Sequence, residues 1–180
     1  MLTLTYQALP TLPNITLVAH HGKLIVLDWH THKTVKLLDQ LTKQAAYLTQ
    51  LPHDLQQKNH LYQQNCDVLL LTKQQLQEYF AGTRHHFTLP LDFSFGTPFQ
   101  QRVWQKLLTI PYGQTISYAE LAKCLGQPTA YRAVANTNGK NPISLIIPCH
   151  RVIASDGGLG GYTGGIDIKQ QLLALEKRHL

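Results

Sequence analysis

Cys149 and His150 stand side by side in the segment "NPISLIIPCHRV", Asn141 to Val152, directly after the apolar run Leu145, Ile146, Ile147 and the turn-forming Pro148. Such a run reads as buried chain, so the thiol and the imidazole are presented from the edge of a core. Cys149 has three competing explanations: a small buried hydrophobe, the nucleophile of a hydrolase, or a nucleophile of another kind. The first serves for Cys66 and Cys124. At Cys149 the neighbours argue for chemistry, because His150 and Arg151 follow at once and positive neighbours lower a thiol's pKa.

A matching carboxylate comes from the end of the chain. Ile168, Leu172 and Leu175 form the apolar stripe of a helix, and Glu176 continues it, which turns a charge toward the core, where it needs a partner. His150 is the candidate. A carboxylate holding one ring nitrogen frees the other to take a proton from Cys149, directly or through a water, and the adjacency of the two residues, which seldom face each other, favours the water. The alternative is that Glu176 frays into solvent. Between these elements lies "SDGGLGGYTGG", Ser155 to Gly165, with six glycines in eleven residues. It reads either as a flexible linker or as a bare loop whose backbone donors approach a flat ligand, with Tyr162 as a stacking face and Thr163 as a hydroxyl. No GKS/T follows, which excludes a Walker-type phosphate loop.

The elements that must hold these residues carry clear start and stop signals. "TPFQ", Thr97 to Gln100, is a capping box with Pro98 at the first helical position and launches "FQQRVWQKLLTI", which ends at Pro111-Tyr112-Gly113. "SYAE", Ser117 to Glu120, is a second capping box. It opens a short helix with the stripe Tyr118, Leu121, Ala122, Leu125, stopped by Gly126. Another helix is expected from Thr129, with Ala130, Ala133, Val134 and Thr137 packing on the first. Helix, glycine turn, helix is the helix-turn-helix pattern, unless it is an ordinary helical hairpin with a solvated Arg132. The outer face, Tyr131, Arg132, Ala135 and Asn136, carries one arginine among mostly small residues. That suits close backbone approach and minor-groove contact better than a major-groove code.

The first half reads as a small mixed domain. "ITLVAHHGKLIVLDWH" is a hairpin about Gly22, "TVKLLDQLTKQAAYL" has helical spacing, and "LLLTKQQLQEYFAG" is a helix ended by Gly82. Its histidine pairs, His20/His21, His30/His32 and His85/His86, lack nearby cysteines and HxxxH spacing, so no metal site is expected. The composition, 43% hydrophobic and 14% charged, is globular. No apolar run is long enough for a membrane span, and three widely separated cysteines suit a reducing compartment. Residues 1–92 carry seven basic and six acidic groups, residues 93–180 nine and four, so the net +6 sits mostly in the half that contains Cys149. That is the footprint of a polyanion surface.

"IPCHRV", preceded by "TPFQQRVWQKLLTIPYGQ", "SYAELA" and "YRAVANTNGKNP" and followed by "GGYTGGIDIKQQLLALE", resembles the O6-alkylguanine-DNA alkyltransferases, the methylated-DNA-protein-cysteine methyltransferases. The likeness runs in order and spacing from Thr97 to Glu176. The first half shares it only loosely, through "QLQEYFAGTRHHFTLPLD" and the early hairpin. The resemblance implies an α/β (α+β) chain with a ribonuclease-H-like mixed domain at 1–92. The alkyltransferase and DNA-binding domain would span 93–180, mostly helical, with the helix-turn-helix and a short active-site strand. It implies Cys149 as alkyl acceptor, His150 and Glu176 as a water-linked relay, Asn141 as the brace of the turn before the cysteine, and Tyr118 as donor to N3 of a flipped guanine. Arg132 would replace the extruded base, with Thr129, Ala130, Ala133, Asn136 and Arg151 also on the DNA, and Val152, Tyr162, Thr163 and Gly164 would line the pocket. Two positions depart from the family pattern: Thr163 stands where many members carry serine, and Tyr131 where a small apolar residue is usual.

The implied activity is stoichiometric transfer of the alkyl group of O6-alkylguanine, and of O4-alkylthymine, from double-stranded DNA to cysteine. It implies a cytoplasmic monomer with no cofactor, metal or membrane. A cysteine hydrolase would lack an evident oxyanion motif and leave the helix-turn-helix unexplained, whereas a helix-turn-helix regulator would leave Cys149 and Glu176 unexplained.

Overall fold

The computed structural model describes residues 1–29 and 55–180, with side chains for all of these except 55–58. The helix expected over residues 34–48 and the pair His30/His32 lie outside the described residues. Strands β1 (Leu2–Tyr6), β2 (Ile15–His20) and β3 (Lys23–Trp29) form an antiparallel sheet in that order. The turn between β2 and β3 is His21-Gly22, with φ of 48° and 69°, the backbone a two-residue hairpin of type I′ demands. Ile15–Ala19 of β2 and Leu24–Trp29 of β3 are buried throughout rather than on alternate residues, because both faces of the sheet are covered.

One cover is helix α1 (Leu55–Phe80), tied to the hairpin by the Gly22 N–H, which donates to Asn65 Oδ1 at 2.9 Å. It begins 14 residues before Leu69, where apolar spacing predicts a start; its first half, "LQQKNHLYQQNCDV", is too polar to show a stripe. It closes at Gly82, φ 75°, with the Gly82 N–H on Tyr79 O and the Thr83 N–H on Glu78 O, a Schellman cap.

The second half follows its caps. Helix α2 (Pro98–Leu107) carries both arms of the Thr97/Gln100 capping box and buries Val103, Trp104 and Leu107. Strand β4 (Ile116–Ser117) leads into helix α3 (Tyr118–Cys124) through the Ser117/Glu120 box. After Gly126, φ 70°, a 3-10 turn at Pro128–Ala130 precedes helix α4 (Tyr131–Asn138). Strand β5 (Val152–Ile153) pairs in parallel with β4, and helix α5 (Ile166–Arg178) ends the fold. Among the described residues, no helix is long and apolar enough to cross a membrane.

Residues 1–92 and 93–180 share one hydrophobic core, in which Leu17, Leu27 and Trp29 are continuous with Val103, Ile143 and Leu145. The backbone joins them too: the Leu27 N–H donates to Pro142 O at 3.0 Å and the Ser144 N–H to Leu27 O at 2.7 Å. Trp29 packs so closely on the glycine-rich loop that a Cβ on Gly164 would lie 2.3 Å from its indole. Gly164→Ala is therefore expected to lower stability by about 1–3 kcal/mol through overpacking. Gly161→Ala, where a Cβ meets nothing within 4 Å, leaves stability unchanged. The urea midpoints of the two variants check this, and equal midpoints would refute it.

Candidate active site

Cys149 opens a 3-10 turn, Cys149–Arg151, and the short strand β5 follows it directly. Its side chain is buried, 1% exposed, and two asparagines from the end of α4 fix its place. Asn138 Nδ2 donates to Cys149 O at 3.2 Å, and Asn141 Nδ2 donates to Ile147 O at 2.7 Å and to Cys149 Sγ at 3.0 Å. Asn141 Oδ1 accepts from the Ile143 N–H at 3.0 Å, so this one side chain braces the whole turn, the placement the sequence assigns to it. Within the turn Leu145 takes φ 71°, a left-handed backbone that a leucine rarely adopts, and its N–H reaches toward the sulfur.

The expected lowering of the thiol pKa does not occur. Burial pushes Cys149 up to about 11, against partial relief from the Asn141 hydrogen bond and the Lys169 charge. Neither flanking cation acts on it: burial holds His150 below its ordinary value and hence neutral, and the Arg151 charge is spent on Glu176. At neutral pH only about one thiol in ten thousand is ionised, so the sulfur needs a proton acceptor to react.

The inward turn of Glu176 is met in full, and its side chain is wholly buried. Oε1 accepts from His150 Nε2 at 2.9 Å, and burial, which would raise the carboxyl pKa, is outweighed by the hydrogen bonds of His150 and Arg151, which hold it far below the usual carboxylate range. Because Nε2 faces an ionised carboxylate, it carries the proton, and Nδ1 is the free acceptor. Nδ1 is buried with no hydrogen-bond partner among the described residues.

Arg151 does not reach a DNA surface. It is 6% exposed, with Nη2 on Glu176 Oε1 at 2.8 Å, Nε on Oε2 at 3.0 Å and Nη1 on Ile110 O at 2.7 Å. A buried carboxylate requires a counter-charge, and the adjacent arginine supplies it. Tyr79 and Gly113 complete the shell: the Tyr79 hydroxyl donates to Oε1 at 2.7 Å and the Gly113 N–H to Oε2 at 3.0 Å.

Lys169 escaped the sequence reading. It is fully buried, and its ammonium donates to Val152 O at 2.6 Å and to Leu159 O, clamping β5 to the glycine-rich loop. Burial lowers its pKa to about 8, and the neighbouring Cys149 opposes that. Its spacing from Leu172 and Glu176, i, i+3 and i+7, places it on the inward face and could have flagged it.

The residues expected to line the pocket lie in different surroundings. Val152 is buried; the Tyr162 hydroxyl accepts from Trp29 Nε1 at 3.0 Å, and its ring stands edge-on to His150, centroids 6.5 Å apart. Thr163 Oγ1 donates to Gly139 O at 3.1 Å. Half-buried Tyr118 lies against the loop at Gly160, φ 64°, where a Cβ would come within 2.9 Å of its hydroxyl. Phases on α4 differ from expectation: Val134, Thr137 and Asn138 face inward, while Ala133 is exposed with Thr129, Tyr131, Arg132 and Asn136, and Ala130 is half-buried. Ala133 lies about 100° around the helix from Val134, on the side away from Asn138, and so falls outside the buried stripe. The Arg132 guanidinium lies over the Tyr131 ring, 5.8 Å from its centroid. Among the described residues, no group of three His, Cys, Asp or Glu side chains could hold a metal ion.

Two family models match in tandem, the ribonuclease-like domain of 6-O-methylguanine DNA methyltransferase over residues 11–93 and its DNA-binding domain over residues 98–178. A methylated-DNA–protein-cysteine methyltransferase of Mycolicibacterium paratuberculosis is 56% identical over 106 residues, 59% of this chain and 64% of that relative. A constitutive one of Bacillus subtilis is 53% identical over 106 residues, again 64% of its length. The match thus spans less than two thirds of these curated relatives. The crystal structure of Mycobacterium tuberculosis OGT in complex with DNA is 38% identical with a TM-score of 0.73, covering 98% of this chain and 92% of that one. The sulfur, its histidine and carboxylate, and both tandem matches lead to one conclusion: the chain belongs to the 6-O-methylguanine DNA methyltransferase family.

Proposed function

We propose that the chain repairs double-stranded DNA by moving the alkyl group of O6-alkylguanine, and of O4-alkylthymine, irreversibly onto Cys149. The observation that carries this reading is a buried sulfur held at 3.0 Å by Asn141, three residues beyond the helix whose outer face bears Arg132. His150 Nδ1 takes the thiol proton through a water while Glu176 holds the opposite ring nitrogen, and the thiolate attacks the saturated carbon on O6. The S–C bond forms as the C–O bond breaks, and the electron pair stays on guanine O6, where donors, with the Tyr118 hydroxyl at N3, stabilise the departing charge. The product is a thioether. A hydrolase's thioester has a carbonyl that water can open; an S-alkyl cysteine has none, so each molecule acts once.

Reaching a buried sulfur requires the base to leave the stack, which costs least for a damaged, poorly paired guanine. The α4 face supports that step: Ala133 and Thr129 let the backbone approach, and Arg132 fills the gap, while Val152, Tyr162, Thr163 and Gly164 line the guanine pocket. The acceptor is part of the chain, so transfer asks for no cofactor, and a monomer suffices. The cytoplasm, where thiols stay reduced, suits the three free cysteines. Incubation with duplex DNA carrying labelled O6-methylguanine tests the reading: label moves onto protein only in an alkyltransferase.

With excess methylated duplex, intact-mass and peptide analysis is expected to find one methyl group per chain, on Cys149, and none in Cys149→Ala. Multiple turnover without an added thiol would refute the single-use mechanism. For Arg132→Ala, loss of stacking worth about 1–3 kcal/mol slows transfer from duplex DNA by about 10- to 100-fold. Transfer from free O6-benzylguanine, which needs no extrusion, keeps the wild-type rate. Equal losses on the two substrates would assign Arg132 to the pocket or the fold instead.

A further inference from the structure

We infer that Tyr79 is a positioning residue for alkyl transfer: its hydroxyl, donated to the Glu176 oxygen that also holds His150, sets how readily the imidazole takes a proton. The inference rests on the proposed transfer to Cys149. Tyr79 lies on α1, 97 residues from Glu176, and is fully buried.

The geometry at Oε1 carries the argument. Tyr79 Oη at 2.7 Å, Arg151 Nη2 at 2.8 Å and His150 Nε2 at 2.9 Å all direct protons at this one oxygen, and Arg151 Nε forks between it at 3.2 Å and Oε2 at 3.0 Å, where the Gly113 N–H also donates. A carboxylate has about two acceptor sites per oxygen, so the donors crowded on Oε1 compete for its charge. What Tyr79 draws, His150 loses. Packing does not require the hydroxyl: the Tyr79 ring meets Phe80, Phe87 and Tyr112 at centroid distances of 5.4, 5.5 and 5.9 Å, contacts a phenylalanine would keep.

The charged and titratable groups around His150 and Glu176 are Arg151, Lys169, Cys149, Tyr112, Tyr162 and Tyr79. Arg151 and Lys169 oppose a charge on His150, and Glu176 favours it. Burial already holds the imidazole neutral, and a further donor on the same oxygen weakens the one contact that favours its charge, which reinforces the form that accepts the Cys149 proton.

The test compares wild type, Tyr79→Phe, and a protein with 3,5-difluorotyrosine, a stronger donor, placed site-specifically at position 79. Two readouts are followed against pH: the single-turnover rate with methylated duplex and the ring carbon shift of His150 by NMR. Tyr79→Phe frees Oε1 for His150, so the His150 midpoint and the acid limb of the rate both move up, on the order of one unit. The shift of the two midpoints, and not the height of the plateau, is the readout. The fluorinated protein moves both in the opposite direction. A His150 midpoint that stays put in the folded variants, or a uniform loss of rate with a fixed midpoint, overturns the inference. Should Tyr79→Phe not fold, the fluorinated protein decides alone. If wild type moves no methyl onto Cys149, the proposed function fails, and the His150 titrations still test the Tyr79 contact.

Discussion

A carboxylate with no access to water sits where four parts of the chain meet. Glu176 on α5 is satisfied by α1 through Tyr79, by the turn after α2 through Gly113, and by the Cys149–Arg151 turn through His150 and Arg151. Burying a bare carboxylate costs far more than any single contact returns, and removing its charged partner, Arg151, would typically cost about 3–5 kcal/mol. Each donor is therefore obliged to stay, and the elements that carry them are held in register. The Arg151 charge balances the Glu176 charge, and burial, with that charge beside it, leaves His150 neutral and able to accept a proton.

Burial is also what raises the pKa of the Cys149 thiol, with both flanking cations turned to Glu176 or neutral. The surroundings of Cys149 keep it protonated, and its resting form reacts little with solvent electrophiles. On the proposed mechanism the proton leaves only when an alkyl carbon is in line with the sulfur, and for a protein that acts once a sulfur inert at rest preserves the acceptor. Asn138 and Asn141 link this centre to α4, so a displacement of the helix face and a displacement of the sulfur are the same event.

The first half is built into the site. β3 pairs with Pro142 and Ser144 just ahead of the cysteine, Trp29 holds the Tyr162 hydroxyl, and Tyr79 reaches Glu176. A shared core makes these contacts rigid, because close-packed side chains transmit strain instead of absorbing it.

The sequence by itself determined whatever depends on neighbours within a few residues. The two capping boxes, the His21-Gly22 turn and the stops at Gly82 and Gly126 are fixed by backbone donors and allowed φ angles, and the i, i+4 step from Leu172 sufficed to turn Glu176 inward. The cysteine, its histidine and the carboxylate were legible as a group for the same reason. Only the tertiary structure decided who surrounds that carboxylate. Arg151 turned inward, Tyr79 and Gly113 joined from distant segments, Lys169 was buried, and α4 turned Val134, Thr137 and Asn138 to the core, which leaves Ala133 outside. Desolvation set the thiol pKa against its charged neighbours in sequence. These outcomes depend on which elements meet in space and on how completely they exclude water, and no local spacing encodes either.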